Sequence, residues 1–281
     1  MSCRVKSLMT AMVLGASCTA GPIEIVNDQT LLNDLVAHWA FDEMNGTTVS
    51  DGSGLGRNGV LGGGTGGAAW VSGKFENALH FEIGNEVTVP TFPSASESWT
   101  VAMWVKPAPG DYGPGYVTLV STEKANSGGW EMNMKLTAGD SFYQFGYYVG
   151  PGDGNYFTAK CPCVTPDAWT HIAGVVDWTT QSLSFYVNGL RLSTPSTPPM
   201  SGVKAPIKAG SPTLYMGRWD LPGRQFKGDL DDVVIYKKAL TADDIGRLFQ
   251  DPAPASKPRS PAPDGGAPDG SAPDGGAPDG P

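Results

Sequence analysis

The chain has 281 residues and a mass of 29.4 kDa, with 38 Gly, 24 Pro and only 17% charged residues. Such frequent turn residues favour short strands over long helices. A net charge of −9 and a pI near 4.7, with no basic run longer than Lys237-Lys238, argue against a nucleic-acid partner, which requires clustered Lys and Arg.

Arg4 and Lys6 precede an apolar stretch from Leu8 to Ala16, then small residues and Cys18. This is the pattern of an export signal over residues 1–18, and it is too short to span a bilayer. Leu14-Gly15-Ala16-Ser17-Cys18 resembles a bacterial lipobox with Cys18 as the lipid-bearing residue, although Gly15 stands where Leu is usual. Ordinary cleavage after Ala20 is the alternative. Both readings export the chain, as a cell-surface or outer-membrane lipoprotein or as a secreted protein, with the membrane touched only through the lipid.

Residues 19–34 form a polar leader without periodicity, and a folded domain is expected over residues 35–250. An apolar strand from Leu35 to Asp42 leads into a Gly- and Asp-rich loop, Asn45 to Gly67. Gly54, Gly56 and Gly59 satisfy the G-x-G-x-x-G dinucleotide pattern, but Val60-Leu61 and three further glycines follow, which cannot sustain the required helix. Strands are then predicted at Phe75–Phe81, Trp99–Pro107, Trp130–Leu136, Ser141–Val149 and Trp169–Val176. In Trp99–Pro107, Val101, Met103 and Val105 share one face, and Thr100, Ala102, Trp104 and Lys106 the other. Trp130–Leu136 alternates apolar and polar residues, as a strand with one buried face does.

Cys161-Pro162-Cys163 has one intervening residue, not the two of thioredoxin-like or zinc motifs. A small-ring disulfide and a pair of free thiols both fit it. Asn188-Gly189, between the strands Ser182–Val187 and Leu190–Ser193, specifies a type I′ hairpin turn. Strands at Thr213–Arg218 and Leu230–Tyr236 follow, and Thr241 with Asp244 forms a helix-starting capping box. About a dozen strands in one domain give a two-sheet sandwich. Beyond it, Ala-Pro-Asp-Gly recurs four times between Ala262 and Gly280, so residues 251–281 are expected to be a disordered tail without core-forming residues.

Several of these segments resemble, in order, the motifs of LamG-like jelly-roll domains in the concanavalin A-like lectin/glucanase superfamily. They are Phe75-Glu-Asn-Ala-Leu-His-Phe81, Trp99 to Pro107, Trp169-Thr-His171 with Asp177, Gly228 to Tyr236, and Ala239 to Ile245. The core motifs lie within residues 98–245. The resemblance implies an all-β, two-sheet antiparallel jelly-roll sandwich with a short C-terminal helix. It also implies a monomeric, non-catalytic module that binds carbohydrate or a surface protein.

A glycan-processing enzyme on the same sandwich and a structural envelope or adhesion protein are the alternatives. The glucanase-type Glu-x-Asp-x-x-Glu strand is missing, and Glu82 and Glu86 flank a strand-breaking Gly84. His38, His80 and His171 read as structural. The resemblance further suggests a structural Ca²⁺ with Asp42, Asp51, Asp231 and Asp232 as candidate ligands, against the plainer reading that these carboxylates tie turns. Tyr112, Tyr116 and Tyr156, in or beside Gly/Pro-rich loops, are the candidate ligand-binding aromatics.

Overall fold

The computed structural model describes residues 29–63, 69–95, 97–110, 112–113, 115–124, 128–149, 156–192, 209–220 and 223–250. The stretch 1–18 expected to be an export signal, with Cys18, and the expected tail 251–281 lie outside the described residues. Among those described, no helix is long and apolar enough to cross a membrane.

A short helix α1 (Gln29–Asp34) leads into β1 (Leu35–Trp39), β2 (Thr48–Val49), β3 (Gly59–Gly63), β4 (Ala69–Ser72), β5 (Asn77–Phe81) and β6 (Asn85–Val89). Next come β7 (Trp99–Pro107), β8 (Val117–Ser121), β9 (Trp130–Leu136), β10 (Ser141–Tyr148), β11 (Tyr156–Cys161) and β12 (Thr170–Asp177). The chain continues through β13 (Ser182–Val187), β14 (Leu190–Arg191), β15 (Leu214–Met216), β16 (Gly228–Tyr236) and α2 (Ala242–Gln250). The strands form two antiparallel sheets. The first runs β14-β13-β12-β7-β16-β5-β4 with β1 also on β16, and the second runs β11-β10-β9-β8-β15-β6-β3-β2. This is the expected jelly-roll sandwich.

The core lies between the sheets and follows from strand alternation. Val101, Met103 and Val105 of β7 face Trp130, Met132 and Met134 of β9 and Tyr143, Phe145 and Tyr147 of β10 within one buried cluster. Gly174 of β12 is small because Phe145 from the other sheet occupies the space where its Cβ would lie, 2.3 Å from ring atoms. The predicted hairpin is present, with Asn188 and Gly189 at φ values of 48° and 78°. The paired cysteines form a disulfide, Cys161 to Cys163, at the end of edge strand β11.

A second cluster covers the outer face of the first sheet. Ala102, Ala173, Val175, Val234 and Tyr236 pack there against Leu31 of α1 and Ile245 and Leu248 of α2. Helix α1 is a correction to the polar leader. Six residues are too few to show a period, and it is held by burial of Leu31 and by its Asp34 carbonyl, which accepts from Lys237 N at 2.9 Å. Phe249 of α2 stacks on Trp104 at 5.4 Å, and Trp104 meets His171 edge-on at 5.4 Å. Burial pushes the His171 imidazole down to about 3, so it stays neutral, consistent with a packing role.

The capping box forms as expected. Asp244 N donates to Thr241 Oγ1 at 3.2 Å, and Thr241 N donates to Asp244 Oδ2 at 3.0 Å. Thr241→Ala is therefore expected to lower stability by about 1 kcal/mol. The check is urea unfolding, where the midpoint falls and the slope is unchanged.

Candidate functional site

The outer face of the second sheet carries a cluster of buried charge. On β9 the core takes Trp130, Met132 and Met134, which turns Glu131, Asn133 and Lys135 outward. On β10 the same logic turns Phe142, Gln144, Gly146 and Tyr148 outward. Register brings Glu131 opposite Ser121 of β8 and Gly146 of β10. Glu123, two residues beyond Ser121, has its amide held by Ser121 Oγ at 2.8 Å.

These two glutamates meet under one guanidinium. Arg224 Nη1 lies 3.3 Å from Glu131 Oε2 and 3.5 Å from Glu123 Oε2. Tyr156 donates to Glu131 Oε1 at 2.7 Å, and Tyr148 donates to Glu123 Oε1 at 3.3 Å. Gly146 leaves the room that Tyr156 needs, since a Cβ there would sit 2.2 Å from the tyrosine oxygen. The Tyr148 and Tyr156 rings lie 4.5 Å apart. Arg224 itself adopts φ 53°, an uncommon conformation for a side-chain-bearing residue, and its guanidinium rests 3.9 Å over Trp219 and 5.7 Å from Tyr116.

Both carboxyl side chains are nearly inaccessible, at 1% for Glu123 and 5% for Glu131. Burial raises the Glu123 carboxyl to about 8, and the neighbouring Glu131 charge and the hydrogen bond between the two push the same way. Arg224 and Tyr148 oppose them only in part. Glu123 thus favours its neutral form at neutral pH. Beside this pair, Thr118 of β8 and Asn133 of β9 are fully buried, with the Thr118 hydroxyl and both polar atoms of the Asn133 amide lacking a partner among the described residues. Tyr116 packs edge-on to Phe142 at 5.9 Å, and Lys160 covers Phe142 at 4.8 Å. The face therefore combines rings with a polar floor.

The candidate aromatics take different places. Tyr116 is 39% exposed at the rim of the cluster. Tyr156 is half-buried within it. Tyr112, expected at a loop surface, instead turns inward because its hydroxyl donates to the Ala108 carbonyl at 2.8 Å and its ring packs on the core.

The four candidate metal-binding carboxylates do not form a cage. Asp51 accepts from His38 N, Ser53 N, Ser53 Oγ and Arg57 N, tying its own loop. Asp231 accepts from Lys74 N and Phe75 N, Asp42 from Asn77 N, and Asp232 contacts His38 Nε2 at 3.0 Å. Burial, then the nearby Asp232 charge, raises the Asp231 carboxyl to about 8, despite those two backbone donors. Among the described residues no three His, Cys, Asp or Glu side chains are grouped to hold a metal ion. Glu123, Glu131 and Arg224 escape a reading of sequence, because the β8–β9 pairing joins the first two and the Arg224 carbonyl, which accepts from Thr118 N, brings in the third. The alternation around Glu131 signals only an outward face.

The chain belongs to the concanavalin A-like lectin/glucanases superfamily, whose family model matches residues 81–246. Among solved structures, it is similar to domain 4 of AbnA, an extracellular GH43 arabinanase from Geobacillus stearothermophilus, solved with arabinotriose. That likeness has a TM-score of 0.55 at 22% identity, over 77% of this chain and 98% of that one. It is also similar to the binding domain of Paraclostridial Mosquitocidal Protein 1, with a TM-score of 0.59, 19% identity and coverage of 78% and 52%. The botulinum neurotoxin DC binding domain, solved with rat synaptotagmin II, gives a TM-score of 0.55, 15% identity and coverage of 78% and 52%. The chain spans about half the length of these two toxin domains. At such identities these likenesses show the fold. No curated protein matches the chain.

The Glu123 proton predicts a pH dependence of stability. A carboxyl whose folded value lies near 8, against 4.5 for the ordinary group, contributes stability that is full below about pH 4.5 and is lost as pH rises through 8. Asp231 adds the same sign, rising to about 8 from 3.8. Thermal melts between pH 4 and 9 are expected to fall with pH, and Glu123→Gln to fall less steeply, retaining only the Asp231 share. Equal slopes for the two proteins would contradict the assignment.

Proposed function

We propose that this protein is an exported, non-catalytic recognition module that binds saccharide on the outer face of its second sheet. The observation that carries the reading is the buried Glu123–Glu131–Arg224 cluster set among Trp219, Tyr116, Tyr148 and Tyr156. The exposed Tyr116 ring offers apolar area to the face of a sugar, and the half-buried Arg224 guanidinium can donate to its hydroxyls, held in place by the buried carboxyls beneath it. The arabinotriose complex of the similar arabinanase domain supports a saccharide as the partner class.

The same geometry speaks against hydrolysis. Retaining glycosidases hold their carboxyl groups about 5–5.5 Å apart and inverting ones about 6.5–9.5 Å, to leave room for the sugar or water between them. Glu123 and Glu131 instead both contact Arg224 Nη1, at 3.5 and 3.3 Å, with side chains only 1% and 5% exposed. Export rests on the charged and apolar pattern of residues 1–18.

A glycan array followed by calorimetry tests the proposal. Retention of a saccharide without release of reducing ends is expected. Arg224→Ala and Trp219→Ala should each weaken retention at least about tenfold, a loss of about 1.4 kcal/mol. Released reducing ends would refute the non-catalytic part, and retention unaffected by both substitutions would move the site elsewhere.

A further inference from the structure

We infer that a cleft between the loop before β3 and the segment before β7 binds a single oxyanion carried on an apolar body, with Arg57 and Lys237 holding the anion and Leu55 and Pro93 covering the body. The cleft has a volume of about 440 Å³, and Val36 and Glu97 also line it. That volume is in the range of small-molecule sites. None of these residues belongs to the cluster on the outer face of the second sheet, and the saccharide reading does not depend on them.

Arg57 is built into its place. Its amide donates to Asp51 Oδ2 at 2.9 Å, and its carbonyl accepts from the Trp39 indole at 2.9 Å. Its guanidinium donates through Nη1 to the Val36 carbonyl. Asp51 also accepts from Ser53 N and Ser53 Oγ, and Ser53 Oγ accepts from Leu55 N at 3.2 Å, so the loop from Ser53 to Arg57 is fixed from within. A guanidinium carries five N–H donors, and one anchor leaves the others for a ligand. Lys237 comes from the end of β16, with its amide tied to the Asp34 carbonyl at 2.9 Å and its side chain exposed. The next residue, Lys238, has Asp34 as its partner at 3.9 Å. Among the described residues no carboxylate pairs with Arg57 or with the Lys237 ammonium.

Charge here runs against that of the chain. The whole sequence carries −9, yet this lining sets two cations against one carboxylate, the exposed Glu97. An oxyanion can accept from the remaining guanidinium donors and from the ammonium at once, in charge-assisted bonds. A second negative charge on the ligand would meet Glu97, which favours a monoanion. Leu55 is 56% exposed although its loop is fixed, and Pro93 is half-buried, so both offer apolar surface to the rest of the ligand. A carboxylate on a short alkyl chain and the phosphodiester of an anionic lipid both have this chemistry.

The test titrates the full chain at low salt with octanoate, its neutral counterpart octanamide, and acetate, followed by nitrogen-15 NMR of the backbone amides. Octanoate should saturate one site and shift the Leu55 and Arg57 amides, and octanamide and acetate should each bind at least about tenfold more weakly. Arg57→Gln and Lys237→Gln should each weaken octanoate about tenfold. Lys237 is exposed, so its substitution carries the test even if Arg57→Gln folds poorly. Octanamide bound as tightly as octanoate, octanoate bound equally by wild type and both variants, or no binding of octanoate overturns the inference, and each leaves the saccharide reading intact. Co-sedimentation with phosphatidylglycerol but not phosphatidylcholine vesicles, lost in Lys237→Gln, supports the site with a lipid headgroup as its source. Octanoate binding without co-sedimentation supports it with a soluble acid as the source.

Discussion

Strand β16 is the constraint on which the remaining structure depends. Every one of its nine residues is buried, and it pairs along β7 on one side and with β5 and then β1 on the other. Its apolar residues must serve two faces, and a strict two-residue period cannot place them. A bulge between Asp231 and Val234, with Asp232 at φ 46°, supplies one extra residue. Leu230, Val233 and Ile235 thereby all reach the inter-sheet core, while Val234 and Tyr236 reach the helix-covered side. A slip of one residue would exchange the two sets and expose the core face.

That arrangement makes the two outer faces unequal. The first sheet's outer face is closed by α1 and α2 through Leu31, Ile245 and Leu248. The described part of the second sheet's outer face carries no helix. It carries instead a set of carboxyl, guanidinium and phenol groups, of which Glu131, Tyr148 and Tyr156 stand on three adjacent strands, β9, β10 and β11. A rigid sheet holds such groups more closely in place than a loop does. Arg224, in the segment before β16, then reaches across to complete the cluster, and its carbonyl accepts from Thr118 N at 2.8 Å.

Much of the fold was legible because alternation and turn chemistry are local signals. Trp130–Leu136 and Trp99–Pro107 fall where their patterns place them, and Asn188-Gly189 turns as its conformational preferences require. Helix α1 and the β16 bulge were not legible, since one is shorter than a readable period and the other follows from pairing. The site was legible only in fragments. The polar residues alternating in β9 point to a solvated face, yet Glu131 and Asn133 are buried. Nothing local links Glu123 to Arg224, and the Gly/Pro-rich surroundings of Tyr112 gave no hint that Ala108 would draw its hydroxyl inward.

The cluster on the outer face of the second sheet is most directly tested by carbon-13 NMR of the glutamate side-chain carboxyls, titrated with and without a bound saccharide. One resonance, assigned through Glu123→Gln, should titrate near pH 8 and shift together with Glu131 when saccharide is added. Both glutamates titrating in the ordinary carboxylate range, with neither resonance moved by a saccharide that the protein retains, would contradict the account.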